Sequence, residues 1–377
     1  MHLPPLTPLV VSVGLLLTAG ASYSGPRPMA EQGQSSPSIC SPNPPSGNSG
    51  SDAELRKQIA SQVAQAWKES NFAWLDSTAD EYVRTRAKTY SGKWRLSIFY
   101  STLSCQLKID PPDDWYLPDP EVCRCRIPNP KYYEEADGRW GAVRTKLDQW
   151  LAQAPQSVHT KIALAQMFVN RAWFYRGTGY ASTVPQEAWP VVSRYLEESR
   201  KTLTARPEIR FSDPEWFDIM FFLAAAQSWQ EAQIEALIKD FRKSGQSYIT
   251  AYQSAASMML PKWGGSYEAL ERFAQQVVVD GGDDGFEAYA RIYWNTVDAL
   301  TFSESRAHWP TMKRGFEIMI HKYPDSRNVN GLAMYACAAG DGNTFREAMR
   351  RLGENLNPEA WTIPVDYCKA KYETSRH

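Results

Sequence analysis

At 377 residues, 43% of them hydrophobic and 22% charged, the chain is long enough to bury a large core. Its 41 basic and 42 acidic residues give a net charge of −1, which leaves no surplus of cations to follow a nucleic-acid backbone and no polybasic patch for an anionic membrane. The one apolar run near the start, residues 9–17, is too short to span a bilayer.

In chain order, that run reads as the apolar core of an export signal. Ala19, Gly20 and Ala21 follow it as a small-residue exit, predicting cleavage after Ala21 and a signal peptide over 1–21. Gly20 stands where a lipidated chain needs a cysteine, so no lipid anchor is expected. A periplasmic or secreted location follows. Residues 22–51, dense in Pro, Ser and Gly, read as a disordered linker. The rest, 52–377, is expected to form a single helical domain.

Six cysteines follow the signal, Cys40, Cys105, Cys123, Cys125, Cys337 and Cys368, and an even number in an exported chain predicts disulfides. Their distribution favours a Cys337–Cys368 bridge and leaves the other four to pair among themselves. Cys123 and Cys125 have no histidine near them, so a metal site is not expected there. Residues 110–130 are rich in proline and are predicted to be a long loop pinned by Cys105, Cys123 and Cys125.

Elsewhere apolar residues recur at spacings of three and four. Ile162, Leu164, Ala165, Phe168, Val169, Ala172 and Trp173 make one such stripe. Similar patterns predict helices over 52–88, 92–104, 138–153, 186–205, 214–228, 230–243, 247–260, 266–279, 284–300, 310–322, 326–339 and 343–355. Ser212 with Glu215, and Thr183 with Gln186, have the spacing of capping boxes. No alternating run reads as a strand. The predicted fold is all-α, an irregular antiparallel array of helical hairpins. The 34-residue separation of Pro324 and Pro358 is that of a tetratricopeptide-like unit.

Most of the 14 tryptophans are expected in the core, among them Trp67, Trp74, Trp150, Trp173, Trp216 and Trp294. Trp115, in the Pro-rich loop, is expected to be exposed. Trp263-Gly264-Gly265-Ser266 reads as a turn in which the glycines permit close approach and Ser266 caps the next helix. Arg176-Gly177-Thr178-Gly179-Tyr180 reads as a loop presenting Arg176 and Tyr180 to a partner. Residues 280–285 begin like a calcium loop, but the twelfth position is Arg291, so a solvated helix-joining turn is expected. Asp76 and Asp80 share a helix face beside Glu81 and are expected to be solvated. The five histidines form no close ligand pair, and no standard catalytic motif occurs. Hence no catalytic residue, metal or cofactor is expected.

Several blocks together resemble a bacterial family of unknown function, domain-of-unknown-function family 4034. They are 72–76 and 91–94 with Phe99-Tyr100, then 172–181, and 261–266. The resemblance implies a bacterial protein with a helical, tetratricopeptide-like architecture. It brings forward Trp94, Arg176, Tyr180 and Trp263 as candidate positions and supplies no activity.

A stack of helix pairs without catalytic signatures is expected to bind a protein or peptide partner in the bacterial envelope. The alternative is a glycan-acting envelope enzyme with paired carboxylates in an aromatic-lined cleft, separated by about 5 to 9.5 Å. A deep pocket gathering Arg176, Tyr180, Trp263 and acids favours the second expectation, and a broad groove the first.

Overall fold

A computed structural model describes residues 52–117, 126–178, 181–244, 247–261 and 264–373. The expected signal peptide and linker, Cys40, Cys123, Cys125, Tyr180 and Trp263 lie outside the described residues.

Within them the chain forms fifteen α-helices and no strand. The predicted first helix is divided into α1 (Asp52–Lys68) and α2 (Phe72–Thr85). The break falls where Ser70 takes a left-handed conformation and the Asn71 side chain accepts the Trp74 N–H, starting a new helix. After α3 (Arg95–Gln106), α4 (Tyr133–Gln153) and α5 (Val158–Arg176) come α6 (Ala188–Thr204) and the single turn α7 (Ile209–Ser212). The helix α8 (Glu215–Ala226) is capped by Asp213, which accepts the Glu215 N–H at 2.9 Å, and not by Ser212. Likewise α6 starts five residues after Thr183 rather than at it. Then follow α9 (Glu231–Lys243), α10 (Ile249–Met258), α11 (Tyr267–Thr296), α12 (Trp309–Lys322), α13 (Ser326–Ala339), α14 (Gly342–Leu352) and α15 (Val365–Glu373). The two helices expected over 266–279 and 284–300 meet at a non-helical kink, Gly282 at φ 54° and ψ −126°, and together make up α11.

Helices adjacent in sequence pack as pairs, α5 with α6, α11 with α12 and α13 with α14, while α8 and α10 pack across α9. The last of these pairs is the hairpin expected between Pro324 and Pro358. One continuous apolar cluster runs from Ile59 in α1 to Cys368 in α15. The expected Cys337–Cys368 disulfide is present and ties α15 to α13. Cys105 is also disulfide-bonded.

The described parts of the Pro-rich loop are held against the helices. Leu117 N–H donates to Ile127 O at 2.8 Å and Asn129 N–H to Trp115 O at 2.8 Å, closing the two arms on each other. Trp115 is therefore buried, at 3% exposure, contrary to the expectation from its loop position. Its ring stacks on Tyr132 at 5.2 Å and carries the Arg139 guanidinium at 4.5 Å. The same loop crosses Gly177, where a Cβ would lie 2.4 Å from Arg126 O. Thr178 accepts the Arg126 N–H and donates its own N–H to Arg126 O. The Arg176–Thr178 segment thus receives the chain's own backbone.

Candidate functional site

A cleft of about 560 Å³ opens among α3, α4, α5, α8 and α10. Its aromatic walls are Trp140 from α4, Trp173 and Phe174 from α5, and Phe222 from α8. Trp173 and Phe222 meet at 4.6 Å between ring centroids, and Trp140 and Phe174 at 6.1 Å, both tilted edge to face. Such rings are held by burial deeper in each helix, so the walls are set by the core.

The polar end is built with equal economy. Asn170 on α5 donates to the Ser104 and Leu107 carbonyls, each at 2.9 Å, and so closes the end of α3. Its Oδ1 accepts from Gln166 at 3.0 Å and from the Ser104 hydroxyl at 3.3 Å. Across from it, Asp218 on α8 accepts the Ser254 hydroxyl at 2.6 Å. Burial pushes the Asp218 carboxyl up to about 6, against the lowering effect of the Ser254 bond. This acid therefore ionises near neutral pH.

Behind the cleft, a turn earlier on α8, Glu215 is fully enclosed and accepts the Tyr248 hydroxyl at 2.6 Å. Burial and the charge of Asp218 raise its carboxyl well above the usual range, against the lowering effect of the Tyr248 bond. Asp213, capping the same helix, belongs to a buried polar cluster. It accepts the Tyr100 hydroxyl at 2.5 Å and faces His159 Nδ1 at 2.9 Å, while His159 Nε2 faces Asp80 at 2.9 Å. These groups fix α8 against α2, α3 and α5.

Of the residues expected at a site, Arg176 does not line this cleft, though its guanidinium is 5.4 Å from the ring of Trp173, which does. Trp94 is elsewhere and buried, edge to face with Tyr248 at 5.3 Å, and its indole N–H has no partner among the described residues. Gly264 is left-handed, with φ 86°, and a Cβ on Gly265 would lie 2.2 Å from Met259 O. Ser266 caps α11 by accepting the Ala269 N–H at 3.1 Å. That turn thus has the local role its residues implied. Asp76 is half-buried rather than fully solvated: it accepts the Trp150 indole N–H at 3.0 Å and the Ser157 hydroxyl at 2.6 Å. In the calcium-like stretch, Asp280 bonds Arg242, Asp283 bonds Arg314 and Asp284 bonds Lys322.

Asp218, Asn170, Lys108, Trp140 and Phe222 are among the cleft residues that sequence reasoning missed. One signal was available, since Asp218 is an acid inside the otherwise apolar run 216–226. No family model, curated protein or solved structure matches the chain. The cleft itself is the basis for a functional reading.

Proposed function

We propose that this is an exported binding protein that takes one side chain of a peptide partner into the cleft. The observation carrying this reading is the pairing of aromatic walls with a single recessed acid, Asp218. An apolar or aromatic peptide side chain fits between Trp140, Trp173, Phe174 and Phe222, and an adjacent ammonium or guanidinium pairs with Asp218. The Cys337–Cys368 disulfide supports an oxidising location. Hydrolysis of a glycan needs two carboxylates facing the bond. Among the described residues that line the cleft only Asp218 is an acid, and Glu215 is engaged by Tyr248 behind it.

Calorimetric titration with short peptides carrying Lys beside Phe tests the proposal. Asp218→Asn and Trp173→Ala are each expected to weaken binding about tenfold, the loss of roughly 1.4 kcal/mol. Affinity should rise as pH passes upward through about 6 and Asp218 ionises, and Asp218→Asn should remove that dependence. Equal affinity for peptides with and without the cation, or release of reducing ends from cell-wall glycan, would overturn the reading.

A further inference from the structure

The aromatic cleft holds a second charge. Lys108, in the segment that leaves α3, lines the same space as Asp218, and among the described lining residues these two are the charged ones, of opposite sign. Both are held in place from behind. The carbonyl of Leu107, on one side of Lys108, accepts from Asn170 at 2.9 Å, and that of Asp110, on the other, accepts from the Arg139 guanidinium at 3.0 Å. Leu107 is wholly buried and Ile109 packs on the core, so the backbone that carries the amine is fixed. Asp218 is fixed by its helix and by the Ser254 hydroxyl, which donates to its Oδ1. Its Oδ2 has no hydrogen bond among the described residues.

One wall of the cleft sets a length. Gln166, Asn170, Trp173 and Phe174 recur at spacings of three and four on α5 and so share one face. At about 1.5 Å per residue these positions cover roughly 12 Å. An extended chain advances about 3.4 Å per residue, so about three residues fit along that face. The volume, about 560 Å³, is likewise that of a site for a small group and not for a long segment. Such a space suits the end of a chain. The amides along it are engaged within the protein, Gln166 donating to Asn170 and Asn170 to the Ser104 and Leu107 carbonyls. They shape the wall, and the two charges select what enters.

Desolvation acts against both charges, lowering the Lys108 amine and raising the Asp218 carboxyl to about 6. A ligand that brings a carboxylate and a cation together relieves both at once. The carboxylate and the last side chain of a peptide are joined through a single Cα, which puts two such charges within the length available.

We propose that the partner is bound by its free C-terminus, with the terminal carboxylate at Lys108, the ammonium or guanidinium of a basic side chain at Asp218, and an adjoining aromatic residue between the rings. This rests on the reading of the cleft as a peptide site and narrows it to chain ends.

The test is calorimetric titration of the full chain at low ionic strength and pH 7 with one N-acetylated peptide ending in Phe-Lys, as the free acid and as the carboxamide. The acid should bind about tenfold tighter than the amide. Lys108→Gln should reduce the acid to the amide's affinity and leave the amide unchanged, the amide serving as the control for an intact fold. Lys108→Arg should keep the preference, and Asp218→Asn should weaken the two forms by the same factor. A carboxamide with a glutamate added beside the lysine should bind like the plain amide, and recovery of the acid's affinity would assign the carboxylate to an internal acid instead. Equal affinity of acid and amide in the parent, or an acid preference that survives Lys108→Gln, would overturn the inference while leaving the cleft a peptide site. Absence of binding by either form would remove that reading as well.

Discussion

His159 joins four helices through one ring. Both nitrogens face carboxylate oxygens, Nδ1 that of Asp213 and Nε2 that of Asp80, so the doubly protonated imidazolium satisfies both. Burial by itself would lower its pKa, but the bonds and charges of Asp213 and Asp80 outweigh it and bring the ring up to about 9. The native state therefore binds this proton more tightly than the unfolded chain, where the ordinary value is near 6.5. The contribution to stability is fully present below about 6.5 and is lost as pH rises through 9. Its size is about 3 kcal/mol, since each unit is worth 1.36 kcal/mol. Urea midpoints measured at pH 6 and pH 10 should converge for the parent chain and His159→Gln at the higher pH and diverge at the lower. A constant gap at both would show that the ring acts only by packing. The sequence placed Asp80 on an exposed face, which is true of most of its side chain, but the partner 79 residues away is a tertiary fact.

At the scale of elements, the approach of α12 to α11 depends on the absence of a side chain. A Cβ on Gly315 would lie 2.1 Å from Phe286 O and 2.8 Å from the Ala290 Cβ, so backbone would have to move. Gly315→Ala is expected to cost roughly 1–3 kcal/mol through overpacking. Gly281 in α11 has open space around its Cβ position and no left-handed φ. Gly281→Ala should therefore be neutral or stabilise by up to about 1 kcal/mol. Thermal unfolding of the two variants separates them, and equal shifts would refute the packing argument. This contrast marks what periodicity conveys. Apolar spacing located nearly every helix, because each buries one stripe. It did not reveal that Asn71 divides 52–88 or that residues 365–373 are helical, whereas the break expected between 279 and 284 falls at the Gly282 kink. Caps and kinks turn on one residue's dihedrals, and α15 is held by a covalent bond rather than by a strong stripe. The cleft was still less legible, for five helices contribute to it and only Asp218 betrays itself in a local run.

For the whole molecule, the question is whether the single apolar cluster makes every part equally dependent on every other. α13 is tied inward, with Gly331 against Trp294 and Phe316, and with the Tyr335 hydroxyl donating to Val297 O at 2.6 Å. α15 is peripheral: its docking rests on the Cys337–Cys368 bond and on contacts such as Tyr372 with Phe345 at 5.5 Å. Bridging residues 31 apart constrains the unfolded chain by roughly 3–4 kcal/mol. A chain that can release α15 alone loses less than that, because only the docking energy of the last helix is forfeited. The double variant Cys337→Ala, Cys368→Ala should thus show faster hydrogen exchange over 365–373 while amides of α5 and α8 keep their protection. Peptide affinity at the cleft should stay within about twofold of the parent, since no residue of α13 or α15 lines it. Uniform loss of protection across α5, α8 and α15 would mean instead that the C-terminal bond secures the entire core, and that the array unfolds as one cooperative unit.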